Sequence, residues 1–404
     1  MEEMTPPRRD TRLEQLSLTL SHVAGMVDLV ALPLWVGTLM RDRGFSAPQA
    51  GLIVTAFLVA VSATSLWTSH RLGRLPRGVN AMYGFALGSG AFAAVALSPD
   101  RASGLGIMLL LHALAGMGVG CALSITHGRI GRSANPHRLF ATVNIALALF
   151  GIAFLGGVPP LQRWAGPSAL FTVFSLLMAL AAAVAARGPT LDAATDGQRK
   201  SPTTPLPRTV GCVVAAIVCL AFNQSMVFGF VERIGFARGF ESAQVHAALV
   251  ALGLVNVLPG ALAALLQQRC SPVAVGIAGP VVQAILALTL SMSTGFAGYA
   301  VATALYVSVV IFSHTFLFGL LTRLDPSGRA VAATPAMMML GSCTGPALGG
   351  LIVQALGFEA LGWVACGVAV VAVVLMDTLR RRLAPPAKAA AAAVSSRPAG
   401  RPLP

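Results

Sequence analysis

The sequence predicts an all-α polytopic membrane protein with twelve transmembrane helices in two pseudo-symmetric six-helix bundles. Three observations carry this. The 404-residue chain is 56% hydrophobic and only 10% charged, with a mean hydropathy of +0.77, where a soluble domain carries about 25% charged residues. Twelve apolar segments follow one another, most of them long enough to cross a hydrocarbon core of about 30 Å. One long polar interruption, GPTLDAATDGQRKSPTTPLPR at 188–208, divides them six and six.

In order, the segments are 16–40, 47–69, 78–98, 104–127, 139–160, 167–186, 209–231, 243–266, 272–292, 295–321, 330–354 and 358–379. The chain therefore divides into an N-terminal bundle at 1–187, a linker at 188–208, a C-terminal bundle at 209–382 and a tail at 383–404. The linker is polar and Pro-rich. The tail is Ala-, Pro- and Ser-rich and is expected to be disordered. The opening MEEMTPPRRDTRLEQ is too acidic and too long for a signal-peptide n-region, so segment 16–40 reads as a retained first helix.

The net charge of +14 first suggests nucleic acid. Its placement gives a different reason. With the N-terminus inside, about 22 of the 28 basic residues fall on inner segments and 6 on outer ones, the bias that sets membrane orientation. Both termini and the linker are then cytoplasmic, and no nucleic-acid partner is expected. Arg outnumbers Lys and Ala is abundant, which suggests a bacterial inner membrane. The six cysteines lack metal-ligand or disulfide spacing. The chain is read as a monomer in a lipid bilayer, without cofactor or metal.

The first segment carries one acid, Asp28, near its middle. A carboxylate at that depth costs about 2.5–3.5 kcal/mol on insertion scales, so Asp28 is expected to face a wet, protein-lined interior. Other intramembrane polar residues are His112 in the fourth segment, Asn223 and Gln224 in the seventh, and Tyr299, Thr303, Tyr306 and His314 in the tenth. The last four fall within an arc of about 80° on a helix turning roughly 100° per residue. Each also has a bland reading, as an interhelical hydrogen bond or as packing.

Several motifs then bear on family. The loop after the second segment reads HRLGRLPRG at 70–78. The fourth segment carries His112, Gly116, Gly118 and Gly120. The eleventh carries Gly341, Gly345, Pro346, Gly349 and Gly350. Together with the layout, these resemble the major facilitator superfamily over nearly the whole chain. Arg71, Gly73 and Arg74 match the superfamily's gating loop, with His70 where it has Asp. His112 stands in the position of an Arg that precedes the glycines of its fourth helix. The Gly25-x-x-Asp28 spacing is similar to that of its aromatic-acid symporters. The resemblance implies a central cavity built from segments 1, 4, 7 and 10.

The expected function is secondary active transport of a small organic solute by alternating access, driven by protons and directed inward. Asp28 and His112 are the expected proton-coupling residues. Asn223, Gln224, Tyr299, Tyr306 and His314 are the expected solute contacts, and His70, Arg71, Gly73 and Arg74 the gating loop. Proton-antiporting efflux of amphipathic compounds is the alternative, and a non-transporting receptor a more distant one. No Walker motif occurs, and the helices hold no paired acids or metal cluster, so neither ATP drive nor an enzyme is expected.

Overall fold

The computed structural model describes residues 11–71, 80–98, 104–187, 207–325, 330 and 334–383. The linker up to residue 206, the tail from 384, and Gly73 and Arg74 lie outside the described residues. Fifteen helices build twelve spans, and no strand occurs among the described residues. The first span is α1 (Arg12–Gly25) followed by α2 (Asp28–Arg41). Spans two to six are α3 (Ala47–Arg71), α4 (Met82–Leu97), α5 (Leu105–Ile130), α6 (Pro136–Ala165) and α7 (Ala169–Arg187). The seventh is α8 (Arg208–Phe228) and α9 (Val231–Ala237); the eighth is α10 (Ser242–Val255) and α11 (Leu258–Leu266). Spans nine to twelve are α12 (Pro272–Met292), α13 (Phe296–Leu324), α14 (Thr334–Leu356) and α15 (Glu359–Leu383). Eleven spans are long and apolar enough to cross a bilayer, and α4 is a shorter apolar helix. Their outward faces carry exposed Leu110, Leu176 and Val370, as lipid contact requires.

Local sequence explains where helices start and break. Thr11 and Glu14 form a reciprocal capping box that starts α1. Asn135 accepts from Arg138 N at 3.0 Å, and Pro136 occupies the first position of α6. The eighth span breaks at Asn256 and Val257 because Pro259, early in α11, has no N–H to continue the ladder.

The two halves repeat each other in detail. Arg43-Gly44-Phe45 precedes the second span and Arg238-Gly239-Phe240 precedes the eighth. Gly44 and Gly239 take positive φ, at 70° and 81°, a conformation open to glycine. Arg43 donates to the carbonyls of Val95 and Ser98, at the end of the third span. Arg238 donates to the carbonyl of Ser291, at the end of the ninth. Gln49 and Gln244 then reach back to cap their helices. Glycines of positive φ also follow the fifth and eleventh spans, at Gly166 and Gly357.

Transmembrane helices lack a hydrophobic drive toward each other and associate through close packing. Gly116 and Gly120 let α5 meet the backbone of α3 at Phe57 and Val61. Gly341, Gly345 and Gly349 form a row against α8, while Gly350 meets Ala47 of α3. The glycine motifs read from the sequence are thus packing surfaces.

Among the described residues, the close contacts between the halves gather toward one end. Call the end holding the starts of α1 and α8 the linker end, and the other the far end. At the far end α3 packs on α14, α6 on α10, and α2 on α8 and α9. One core runs through the N-terminal half and joins the far-end part of the C-terminal half through residues such as Phe230, Leu249 and Leu361. The linker-end part of the C-terminal half has its own core around Val213, Leu317 and Met376. Leu18, Ile130 and Val143 form another, confined to the N-terminal half. Among the described residues, no cluster joins the halves there. Among the described residues, the two bundles form a V that opens toward the linker end.

Candidate functional site

The apex of the V is built around the break in the first span. Met26 N still bonds His22 O at 3.0 Å, but Leu29 N and Val30 N close tight turns on Met26 O and Val27 O at 3.2 Å. Asp28 opens the new helix α2. This suits an anion at a helix start. One turn further, Leu32 packs beside Gly229, where the seventh span also breaks. Residues four apart share a helix face, so Asp28 lies on the same face of α2 as Leu32. It is partly exposed. Among the described residues no basic side chain pairs with it. Spans one and seven are the corresponding first helices of the two halves, and interrupted helices in corresponding positions mark the binding region of many secondary transporters.

Gln224, on α8, is also partly exposed and makes no hydrogen bond to a described residue. The other expected site residues are occupied by the fold. His112 is fully buried; its Nε2 accepts from Trp35 Nε1 at 3.1 Å and its Nδ1 lies 2.8 Å from Met108 O. Phe92 and Phe171 meet its ring edge-on. Tyr306 Oη donates to Asn223 O at 2.8 Å, and Asn223 Nδ2 to Ala365 O at 2.9 Å. Tyr299 Oη donates to Val231 O at 2.9 Å. His314 stacks on Phe318 and is 3% exposed, with Nε2 unpartnered. Each of these contacts lies within one half. At the end of α3, His70 Nδ1 lies 2.7 Å from Leu66 O, and the Arg71 guanidinium covers Trp67 at 4.7 Å.

Two arrangements escaped the sequence reading. At the far end, Glu232 of α9 is 1% exposed and accepts from Arg41 of α2 at 3.1 Å, with His246 at 3.7 Å. This ion pair joins the halves at the far end of α2, the opposite end of that helix from Asp28. At the linker end of the first span, His22 Nδ1 lies 3.1 Å from His127 Nε2 of α5. The first could have been sought as an acid on the seventh span facing an arginine on the first. The second shows in sequence only as two histidines.

No family model and no curated protein sequence matches the chain. Solved structures do. The nucleoside transporter NupG is similar with a TM-score of 0.70 at 13% identity, over 91% of this chain and 99% of that one. A bacterial homologue of the human lysosomal transporter Spinster, in an inward-facing and occupied conformation, is similar with a TM-score of 0.70 at 13% identity, over 91% of this chain and 96% of that one. The chain has the major facilitator fold. Within that fold, the duplicated Arg-Gly-Phe turns are the joints between the first and second spans of each half. Both neighbours are transporters, not enzymes.

Proposed function

We propose that this integral membrane protein is a secondary transporter that carries a small organic solute inward by alternating access, coupled to protons. The observation that carries the reading is the placement of Asp28. It is the acid at a helix break, on the seam between two bundles, under a contact closed on one side and parted on the other. A site so placed changes exposure when the bundles rock.

In this reading Asp28 holds the coupling proton and Gln224 touches the solute. Asn223, Tyr299, Tyr306 and His314 hold the C-terminal helices that shape the cavity, and His112 holds Trp35 behind Asp28. The loop with Arg71 and Arg74 biases the conformational equilibrium. The absence of a described basic group beside Asp28 disfavours multiply anionic solutes and suits a neutral or cationic one. A nucleoside, the solute class of one structural neighbour, is neutral. Both termini are assigned to the cytoplasm: Arg41, Arg43 and Arg238 at the far end are engaged by the fold, which leaves the freer positive charge at the linker end. The test is a thermal-shift screen of the purified protein against neutral, cationic and dianionic solutes, since a ligand stabilises the state it binds. Stabilisation by neutral or cationic solutes, lost in Gln224→Ala, is expected. Stabilisation by dianions alone would overturn the reading.

A further inference from the structure

We infer that His22 and His127 together form a proton-binding site on the linker-end side of Asp28, which takes up one proton per pair. The inference rests on the proton-coupled reading above and extends it to two residues outside the apex.

The geometry is the first support. His22 Nδ1 and His127 Nε2 are 3.1 Å apart, with ring centroids at 5.2 Å. Whichever tautomer is present, one nitrogen must donate and the other accept. Two neutral rings hold two ring protons over four nitrogens. A third proton can bind an outer nitrogen without disturbing the contact. A fourth would set N–H against N–H and drive the rings apart. The pair therefore takes one proton while α1 and α5 stay joined.

The surroundings are the second support. His22 is 3% exposed and its Nε2 has no partner. His127 is only partly buried and lies in the last turn of α5, at the end where the halves part. A proton bound at His127 Nδ1 allows the shared proton to cross from His127 Nε2 to His22 Nδ1, so the single added charge can sit on either ring. The carbonyl of His22 also accepts the last helical bond of α1, from Met26 N at 3.0 Å. Uptake is thus tied to the segment that ends just before Asp28.

The charged and titratable groups on the neighbouring elements are Arg12 and Glu14 on α1, Asp28 and Arg41 on α2, Arg129 on α5, Arg138 and Arg163 on α6 and Arg187 on α7, with His70 and Arg71 ending α3. Phe140 of α6 covers His127 edge-on at 5.8 Å.

The test is nitrogen NMR of the full chain labelled at its histidines, in lipid nanodiscs, as pH is lowered. In the wild type, the two rings should show a coupling across their shared hydrogen bond and titrate together as one proton. In His127→Gln, the coupling should vanish and the His22 signal should move. Proton uptake on a pH jump, read with an indicator dye, should fall by about one proton in His22→Gln/His127→Gln. Independent titration of the two rings in the wild type, or unchanged uptake in the double variant, would overturn the inference. In Asp28→Asn the pair should still titrate. A failed Asp28 assignment with an intact pair is therefore distinguishable from a failed pair.

Discussion

Gly37 leaves the space that Glu232 occupies. A Cβ at Gly37 would overlap Glu232 Oε2, and one turn on, Arg41 Nη1 reaches Glu232 Oε1 at 3.1 Å. Gly37 and Arg41 lie on α2, Glu232 on α9, so the contact closes the far end across the two halves. Arg41 is 36% exposed, but losing it leaves the buried Glu232 carboxylate without its arginine. Here the stranded acid can escape to water when the far end opens. Arg41→Ala should therefore shift the protein toward the far-end-open state. Spin labels on Pro48→Cys and Ser242→Cys should move apart in Arg41→Ala and return in Arg41→Ala/Glu232→Gln. An unchanged distance distribution in Arg41→Ala would show that the pair does not hold the gate.

Asp28→Asn removes the titrating group and mimics its protonated form. Proton-driven accumulation should fail, while exchange of labelled for unlabelled solute survives, because exchange does not return an empty carrier. Solute binding should lose part of its pH dependence. Wild-type accumulation in this variant would sink the proton-carrier assignment. Collapse of binding at every pH would instead make Asp28 a direct ligand for a cationic solute.

Trp35→Phe keeps most of the ring packing against Phe57, Phe92 and Phe174 but strands the Nε2 of His112. An unpaired buried acceptor costs about 1–3 kcal/mol. The variant should melt several degrees lower and still fold. Trp35→Phe/His112→Leu should recover part of the loss. A melting temperature equal to wild type in the single variant would mean that the hydrogen bond contributes nothing.

The orientation has a direct check. A cysteine placed in the linker at 188–206 should resist an impermeant reagent in intact cells and react after permeabilisation. Labelling in intact cells would invert the topology and turn the open end of the V outward.

The twelve spans, their division into halves and the packing role of the glycines were legible because they depend on local properties: length, apolarity and small-residue spacing. The site was less so. Periodicity places Tyr306 and His112 on particular helix faces. It does not say that Asn223 O or Trp35 Nε1, in distant parts of the chain, already engages them. A segment scan ended the seventh span at residue 231 and so set Glu232 outside it, although α8 and α9 continue the span through that residue. The Arg-Gly-Phe repeat was visible in the sequence. Only the matching φ angles and carbonyl contacts give its two copies the same structural role.

The burial of Trp35 has an optical consequence. Trp67, Trp164 and Trp363 are 53%, 86% and 61% exposed, whereas Trp35 is fully enclosed. Brominated lipid quenches indole emission on contact, so it should darken the three outer rings and leave the inner one. What remains is the fluorescence of a single fluorophore within two turns of Asp28, and it reports on the apex without any added dye.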